Sequence, residues 1–201
     1  DSVVIDNGVE LSGLADGPRE LDGAPLLCFA GRFEHQKGID VLIDSLEHLS
    51  LGGPGFRIAI HGAGRLASIV DAGAARWPDR VTVGPPILEL RSRLAAFDAV
   101  LMPSRFEGMP LLAVEALCTG VPVLATKAPG LAEVLPSWYP GQCTPGDPSA
   151  FAALIDGYVR DPATWRSQAV RARPEARARF AVERMLEAYA GLYAAAIRAA
   201  A

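Results

Sequence analysis

Leu26-Leu27-Cys28-Phe29-Ala30-Gly31-Arg32-Phe33-Glu34-His35-Gln36-Lys37-Gly38 is the stretch whose reading decides the fold. It opens on an apolar run with little alternation, the pattern of a strand covered on both faces. A turn with two glycines and two cations follows. Ile39, Leu42, Ile43, Leu46 and Leu49 then repeat at three and four, which is one face of an amphipathic helix. The same sequence of strand, turn and helix recurs. Strand-like runs stand at Arg57-Ile58-Ala59-Ile60-His61, Val81-Thr82-Val83, Ala99-Val100-Leu101-Met102 and Val121-Pro122-Val123-Leu124-Ala125. Helical spacing returns in Leu66, Ile69 and Val70, and in Leu90, Leu94 and Phe97. Such repetition calls for right-handed crossovers and a parallel sheet with helices on both sides. The predicted fold class is a doubly wound, Rossmann-like α/β domain.

Around that core, residues 25–178 form the expected domain, residues 1–24 an irregular lead-in, and residues 179–201 a closing helical segment. Val3-Val4-Ile5 is strand-like, and Asp6-Asn7-Gly8 reads as a turn. Asp147-Pro148 and Asp161-Pro162 each put an N-cap acid before a proline at the first helical position, two helix starts. The region from Val182 is an Ala-rich terminal helix. The chain is expected to be a piece of a longer protein, because it begins abruptly at a strand-like run. Its 201 residues carry 19 Lys and Arg against 23 Asp and Glu, a net charge of -4, which argues against a general nucleic-acid binder. No apolar run reaches the roughly 18 residues of a membrane helix, and no secretory signal is visible, so a cytoplasmic setting is expected. Cys28, Cys118 and Cys143 are far apart, lie in apolar stretches and lack His at metal spacing, so buried structural thiols are expected.

Ligands of open parallel sheets bind at the carboxyl ends of the strands. After the first strand, Gly31 and Gly38 permit close backbone approach, while Arg32 and Lys37 bring positive charge to a helix start, a setting suited to an anion. An ordinary turn with two solvated cations is the competing reading. His61-Gly62-Ala63-Gly64, after the second strand, is explained by a tight turn, with His61 a hydrogen-bonded structural residue; His48 belongs on the surface. The densest segment follows the fourth strand: Pro103-Ser104-Arg105-Phe106-Glu107-Gly108-Met109-Pro110-Leu111-Leu112-Ala113-Val114-Glu115-Ala116-Leu117. Pro110 fits the first position of a helix, and the N–H groups of Met109, Leu111 and Leu112 would then form a second anion site. Glu107 and Glu115 could accept hydrogen bonds from sugar hydroxyls. Equally, Glu107 could serve the helix dipole and Glu115 a neighbouring cation.

Glu107 and Glu115, with seven residues between them, resemble the E-x7-E motif of retaining glycosyltransferases of GT-B fold, and the surrounding segment through Thr126 is similar to glycosyltransferase family 4. Asn7-Gly8-Val9, Gly31-Arg32 with Lys37-Gly38, Val81-Thr82-Val83-Gly84 and Arg179-Phe180 resemble further family segments in the family's order. The resemblance implies the carboxy-terminal, donor-binding half of such an enzyme, with a UDP-, GDP- or ADP-sugar as donor and no bound metal. By that resemblance Arg32 and Lys37 neutralise the diphosphate leaving group. Backbone at Gly31 and at Gly108, Met109, Leu111 and Leu112 holds donor oxygens, Glu107 meets the sugar, Glu115 the ribose, and Pro85, Pro86 and Ile87 the base. The acceptor, a glycan or lipid, would be bound by an amino-terminal domain outside this chain, with peripheral membrane association of the full-length enzyme. Front-face attack would retain anomeric configuration. Three features depart from the pattern: Ala63 replaces an acid, Arg65 a proline, and Pro85-Pro86 is stiff. A GT-B nucleotide-sugar epimerase and a non-catalytic nucleotide-binding module are the alternative readings.

Overall fold

The computed structural model describes residues 3–15, 17–50 and 55–200. Six strands form one parallel sheet: β1 (Leu26–Arg32), β2 (Arg57–Ala63), β3 (Val81–Gly84), β4 (Ala99–Met102), β5 (Val123–Thr126) and β6 (Gln142–Cys143). Their order is β3-β2-β1-β4-β5-β6. The helices are α1 (Ile39–Ser45), α2 (Ala67–Ala74), α3 (Leu90–Arg93), α4 (Leu111–Thr119), α5 (Leu131–Val134), α6 (Pro148–Arg160), α7 (Pro162–Phe180) and α8 (Val182–Ala200). The predicted doubly wound α/β fold is the one observed.

Strand alternation sorts the core into two layers. Leu27 and Phe29 of β1, Ala99 and Leu101 of β4, and Leu124 of β5 face one layer, closed by Leu42 and Ile43 of α1, Val70 of α2, and Phe151 and Ile155 of α6. Val100, Met102, Val123 and Ala125 point the other way, onto Val114 and Leu117 of α4 and Ala172, Ala176 and Phe180 of α7. Each fully buried Leu or Ile contributes about 1.5–3 kcal/mol from apolar area removed from water. The predicted α1 face is buried in full, from Ile39 through Leu49. Asp147 accepts from Ala150 N at 3.0 Å and Asp161 from Thr164 N at 3.2 Å, so both expected caps form.

Several expectations need correction. Ile69 is exposed, so α2 buries Val70 without it. β3 lies at the sheet edge, and there Val83 is exposed rather than covered on both faces. The fifth strand starts at Val123 rather than Val121: Pro122 has no N–H to offer, though its carbonyl accepts from Val100 N at 2.8 Å. Val3-Val4-Ile5 forms no strand, and Val3 and Val4 are exposed. Among the described residues of the lead-in, Val9 alone pairs, bridging to Ala181 between α7 and α8. Cys28 and Cys118 are buried, and burial pushes their thiols up to about 12 and about 11, but Cys143 is only half-buried. α8 leaves the body with Leu186, Tyr189, Tyr193 and Ile197 exposed along it. Among the described residues, no helix is long and apolar enough to cross a membrane.

Candidate functional site

The strand order reverses between β1 and β4, so their carboxyl ends open a crevice where the connecting chains run apart. β1 ends on Arg32, the loop leaving it carries Lys37, and the loop leaving β4 carries Glu107. Two glycines, one after β1 and one after β5, let the β4 loop pack against its neighbours. Gly38 has φ +63, and a Cβ there would lie 1.9 Å from the Pro103 carbonyl oxygen. Gly130 has φ +85, and its Cβ would lie 2.4 Å from the Glu107 carbonyl oxygen. Side chains at either position would push the β4 loop away from its neighbours.

At that meeting point Lys37 Nζ donates to both oxygens of Glu107, at 2.8 and 2.9 Å. Ser104 Oγ donates to the same carboxylate at 2.7 Å. Lys37, Ser104, Glu107, Met109, Leu111 and Leu112 line a cavity of about 280 Å³. Beyond Ala30, which both cavities share, a second of about 470 Å³ is lined by Gly31, Arg32, His61, Pro86, Ile87 and Leu90. Lys37 of the predicted diphosphate cations therefore lines the first cavity, and Arg32 with the base-side Pro86 and Ile87 lines the second, the two meeting at Ala30 over the end of β1. Pro85, also predicted on the base side, lines neither cavity; its carbonyl accepts from His61 Nδ1 at 3.0 Å. A carbonyl can only accept, so Nδ1 carries the proton in that bond; His61 is hydrogen-bonded and also lines the second cavity.

Pro110 needs a one-position correction: it is the N-cap of α4 rather than its first residue, and its carbonyl accepts from Ala113 N and Val114 N. The first N–H groups of the helix, at Leu111 and Leu112, thus precede any intrahelical bond and face the groove end. Gly108 beside them is open to solvent, with nothing near its would-be Cβ. Glu115 sits farther along α4, half-buried. Burial raises its carboxyl above the ordinary value of 4.5, and the charge of Arg91 opposes that rise.

Sequence reasoning missed Ser104, Gln36 and the pair Asp40–Arg105. Gln36 Oε1 accepts from Arg32 Nη2 at 3.1 Å, and Gln36 Nε2 donates to the Phe106 carbonyl at 3.3 Å. Arg105 grips both oxygens of Asp40 at 2.8 Å. Burial pushes the Asp40 carboxyl up, but Arg105 outweighs this and holds it below its ordinary 3.8. Ser104 had a signal, three residues before Glu107; the 65-residue separation of Asp40 and Arg105 left none. Of the departures, Arg65 pairs with Glu34 at 2.8 Å, bridging the loops after β1 and β2. Among the described residues no group of three or more His, Cys, Asp or Glu is placed to hold a metal ion.

Known proteins share this architecture. The model of the family "Glycosyl transferases group 1" matches residues 24–161. Glycogen synthase of Mycobacterium tuberculosis is 30% identical over 201 aligned residues, covering 97% of this chain and 49% of that protein. D-inositol 3-phosphate glycosyltransferase of Xylanimonas cellulosilytica is 34% identical over 186, covering 87% and 43%. The chain thus spans about half the length of these relatives. The crystal structure of Anabaena Alr3699/HepE in complex with UDP and glucose superposes with a TM-score of 0.84 at 23% identity, over 96% of this chain and 57% of that one. Sucrose-phosphate synthase from Thermosynechococcus elongatus gives 0.83 at 24%, over 97% and 52%. Both likenesses are of fold, the Rossmann-like α/β arrangement of GT-B glycosyltransferases. With its model matched across the sheet and the groove-bearing loops, the family is settled: this chain belongs to the group 1 glycosyl transferases.

Proposed function

We propose that the chain is the donor-binding half of a retaining hexosyltransferase that takes a nucleoside diphosphate sugar. The observation that carries the reading is the groove across Ala30, with Arg32 on one side and the Lys37–Glu107 pair at the N-terminus of α4 on the other. Lys37 and the first N–H groups of α4 on one side, and Arg32 on the other, would flank a diphosphate laid across Ala30, stabilising charge that grows as the leaving group departs. Glu107, an acceptor of hydrogen bonds, suits sugar hydroxyls. Glu115 suits a ribose, and the apolar Pro86, Ile87 and Leu90 suit a base. The chemistry of cations and helix dipole needs no metal to neutralise the diphosphate.

In this reading attack comes from the face the sugar's leaving group vacates, and the departing phosphate oxygen takes the acceptor's proton, so configuration is kept. The acceptor, a glycan or glycolipid, is held by a second domain of the full-length enzyme, and residues 1–24 and 179–201 connect to it. The proposal includes a cytoplasmic reaction, with peripheral membrane association of the full-length enzyme. The glycogen synthase and inositol phosphate glycosyltransferase relatives support a sugar transfer. Calorimetric titration with UDP-, GDP- and ADP-glucose tests it. One of them should bind, and Arg32→Ala, Lys37→Ala and Glu115→Ala should each weaken binding. Binding unchanged in all three variants would overturn the site. The anomer released by the full-length enzyme, followed by NMR, tests retention.

A further inference from the structure

The loops that carry Lys37 and Glu107 are separated by 70 residues of chain, yet these side chains meet at hydrogen-bond distance. Something must set their register, because Lys has a flexible stem and no planar group of its own to impose geometry. We propose that Asp40 and Arg105 are positioning residues, a clamp that fixes the β1 loop to the β4 loop and so places Lys37 against Glu107. The inference rests on the donor-site reading above.

The geometry supports this step by step. Asp40 stands three residues after Lys37, in the first turn of α1; Arg105 stands two residues before Glu107. Arg105 Nη1 and Nη2 donate to Asp40 Oδ1 and Oδ2, each at 2.8 Å. Nη1 also donates to the His35 carbonyl at 2.7 Å, and the Arg105 backbone N–H donates to the Gln36 carbonyl at 2.9 Å. His35 Nδ1 lies 3.2 Å from Asp40 Oδ2, a third contact for that carboxylate. A two-pronged pair between planar groups resists both sliding and rotation, which a single bond does not. Gln36, held in the same seam, reaches Arg32 with its side-chain oxygen, so the clamp extends to the second cation. Arg105 and Asp40 line neither cavity of the groove. Their action on the site passes through the residues they hold.

The composition of the chain provides a test. It contains only two lysines, Lys37 and Lys127. Lys127 is exposed, while the Lys37 side chain is 25% exposed and paired. Brief acylation with acetic anhydride, read by peptide mass spectrometry, therefore gives the Lys37 to Lys127 ratio with an internal control and no ligand. Wild type should show Lys37 protected. Asp40→Asn and Arg105→Gln should raise the ratio severalfold in protein that is folded by circular dichroism. They should also weaken affinity for inorganic pyrophosphate by roughly tenfold or more, as expected for a misplaced contact group. Arg105→Lys keeps the charge without the fork; it should behave in the same way, and it serves if the other variants fail to fold. Folded clamp variants with an unchanged ratio would overturn the clamp, showing that the pair adds stability alone. Lys37→Ala separates the two claims. If it binds pyrophosphate as wild type does, or wild type binds none, the anion-site reading fails whatever the ratio shows.

Discussion

Lys37 Nζ stands 2.8 and 2.9 Å from the two carboxylate oxygens of Glu107, whose side chain is only 5% exposed. The cation proposed for the diphosphate is thus already paired. A diphosphate that draws Lys37 away leaves a buried carboxylate held by Ser104 alone, at a cost of about 1–3 kcal/mol for the lost partner. A sugar hydroxyl donating to Glu107 removes that cost. The nucleoside diphosphate sugar should therefore bind more tightly than the same nucleoside diphosphate. Glu107→Gln should narrow the gap, because a neutral amide loses less with Lys37. Matched calorimetric titrations of both ligands on both proteins check this, and an unchanged affinity ratio would contradict it.

Glu115 supplies a pH signature. Burial raises its carboxyl above 4.5, so the fold favours the protonated form. The resulting stability is complete below pH 4.5 and is lost as pH rises through the raised value. Glu115→Gln should accordingly melt above wild type at pH 7, with the difference closing below pH 4.5. Ribose hydroxyls favour the ionised carboxylate, which accepts from them, so nucleotide affinity should fall as pH drops through the raised value. The Gln variant should lack that dependence. Thermal melts and titrations across pH 4–8 read both effects.

Gly38→Ala tests the close approach of the loops. A methyl group there would strain a left-handed backbone and meet the Pro103 carbonyl, costing about 2–4 kcal/mol. Denaturant unfolding measures the loss. Nucleotide affinity should drop in any folded fraction, since Lys37 and Glu107 would be forced apart.

The fold was legible because the runs at residues 26–30, 58–60 and 99–102 are apolar on both sides, and α1 repeats its apolar face without a break. β6, with two residues, and α5, with four, carry too little pattern to be read. Ile69 fits the helical period, but its neighbours do not cover it, which only packing decides. Of the proposed site residues, Arg32, Lys37, Glu107 and Glu115 were singled out by the family resemblance, because their local setting suits an ordinary turn, a helix dipole or a neighbouring cation equally well. Asp40 and Arg105 were not, because a contact between distant segments leaves no trace in spacing. Pro110 was misplaced by one position because its fixed φ suits a cap as well as a first turn.

Asp98 is the structural counterpart of the site, at the opposite end of β4. Fully buried, it accepts from Arg19, from Arg166 at 3.3 Å and from Leu26 N at 2.8 Å. Asp98→Ala should cost about 3–5 kcal/mol, because the two guanidinium groups and an N–H lose their shared partner. Urea unfolding checks the magnitude, and a loss under 1 kcal/mol would show that water replaces the carboxylate.

The most direct measurement of the central claim is a crystal structure of the chain with the nucleoside diphosphate sugar that binds in calorimetry. The diphosphate should lie between Arg32 and Lys37 at the start of α4, with ribose on Glu115 and sugar on Glu107. A diphosphate bound away from Lys37, or a ribose that leaves Glu115 untouched, would contradict the account.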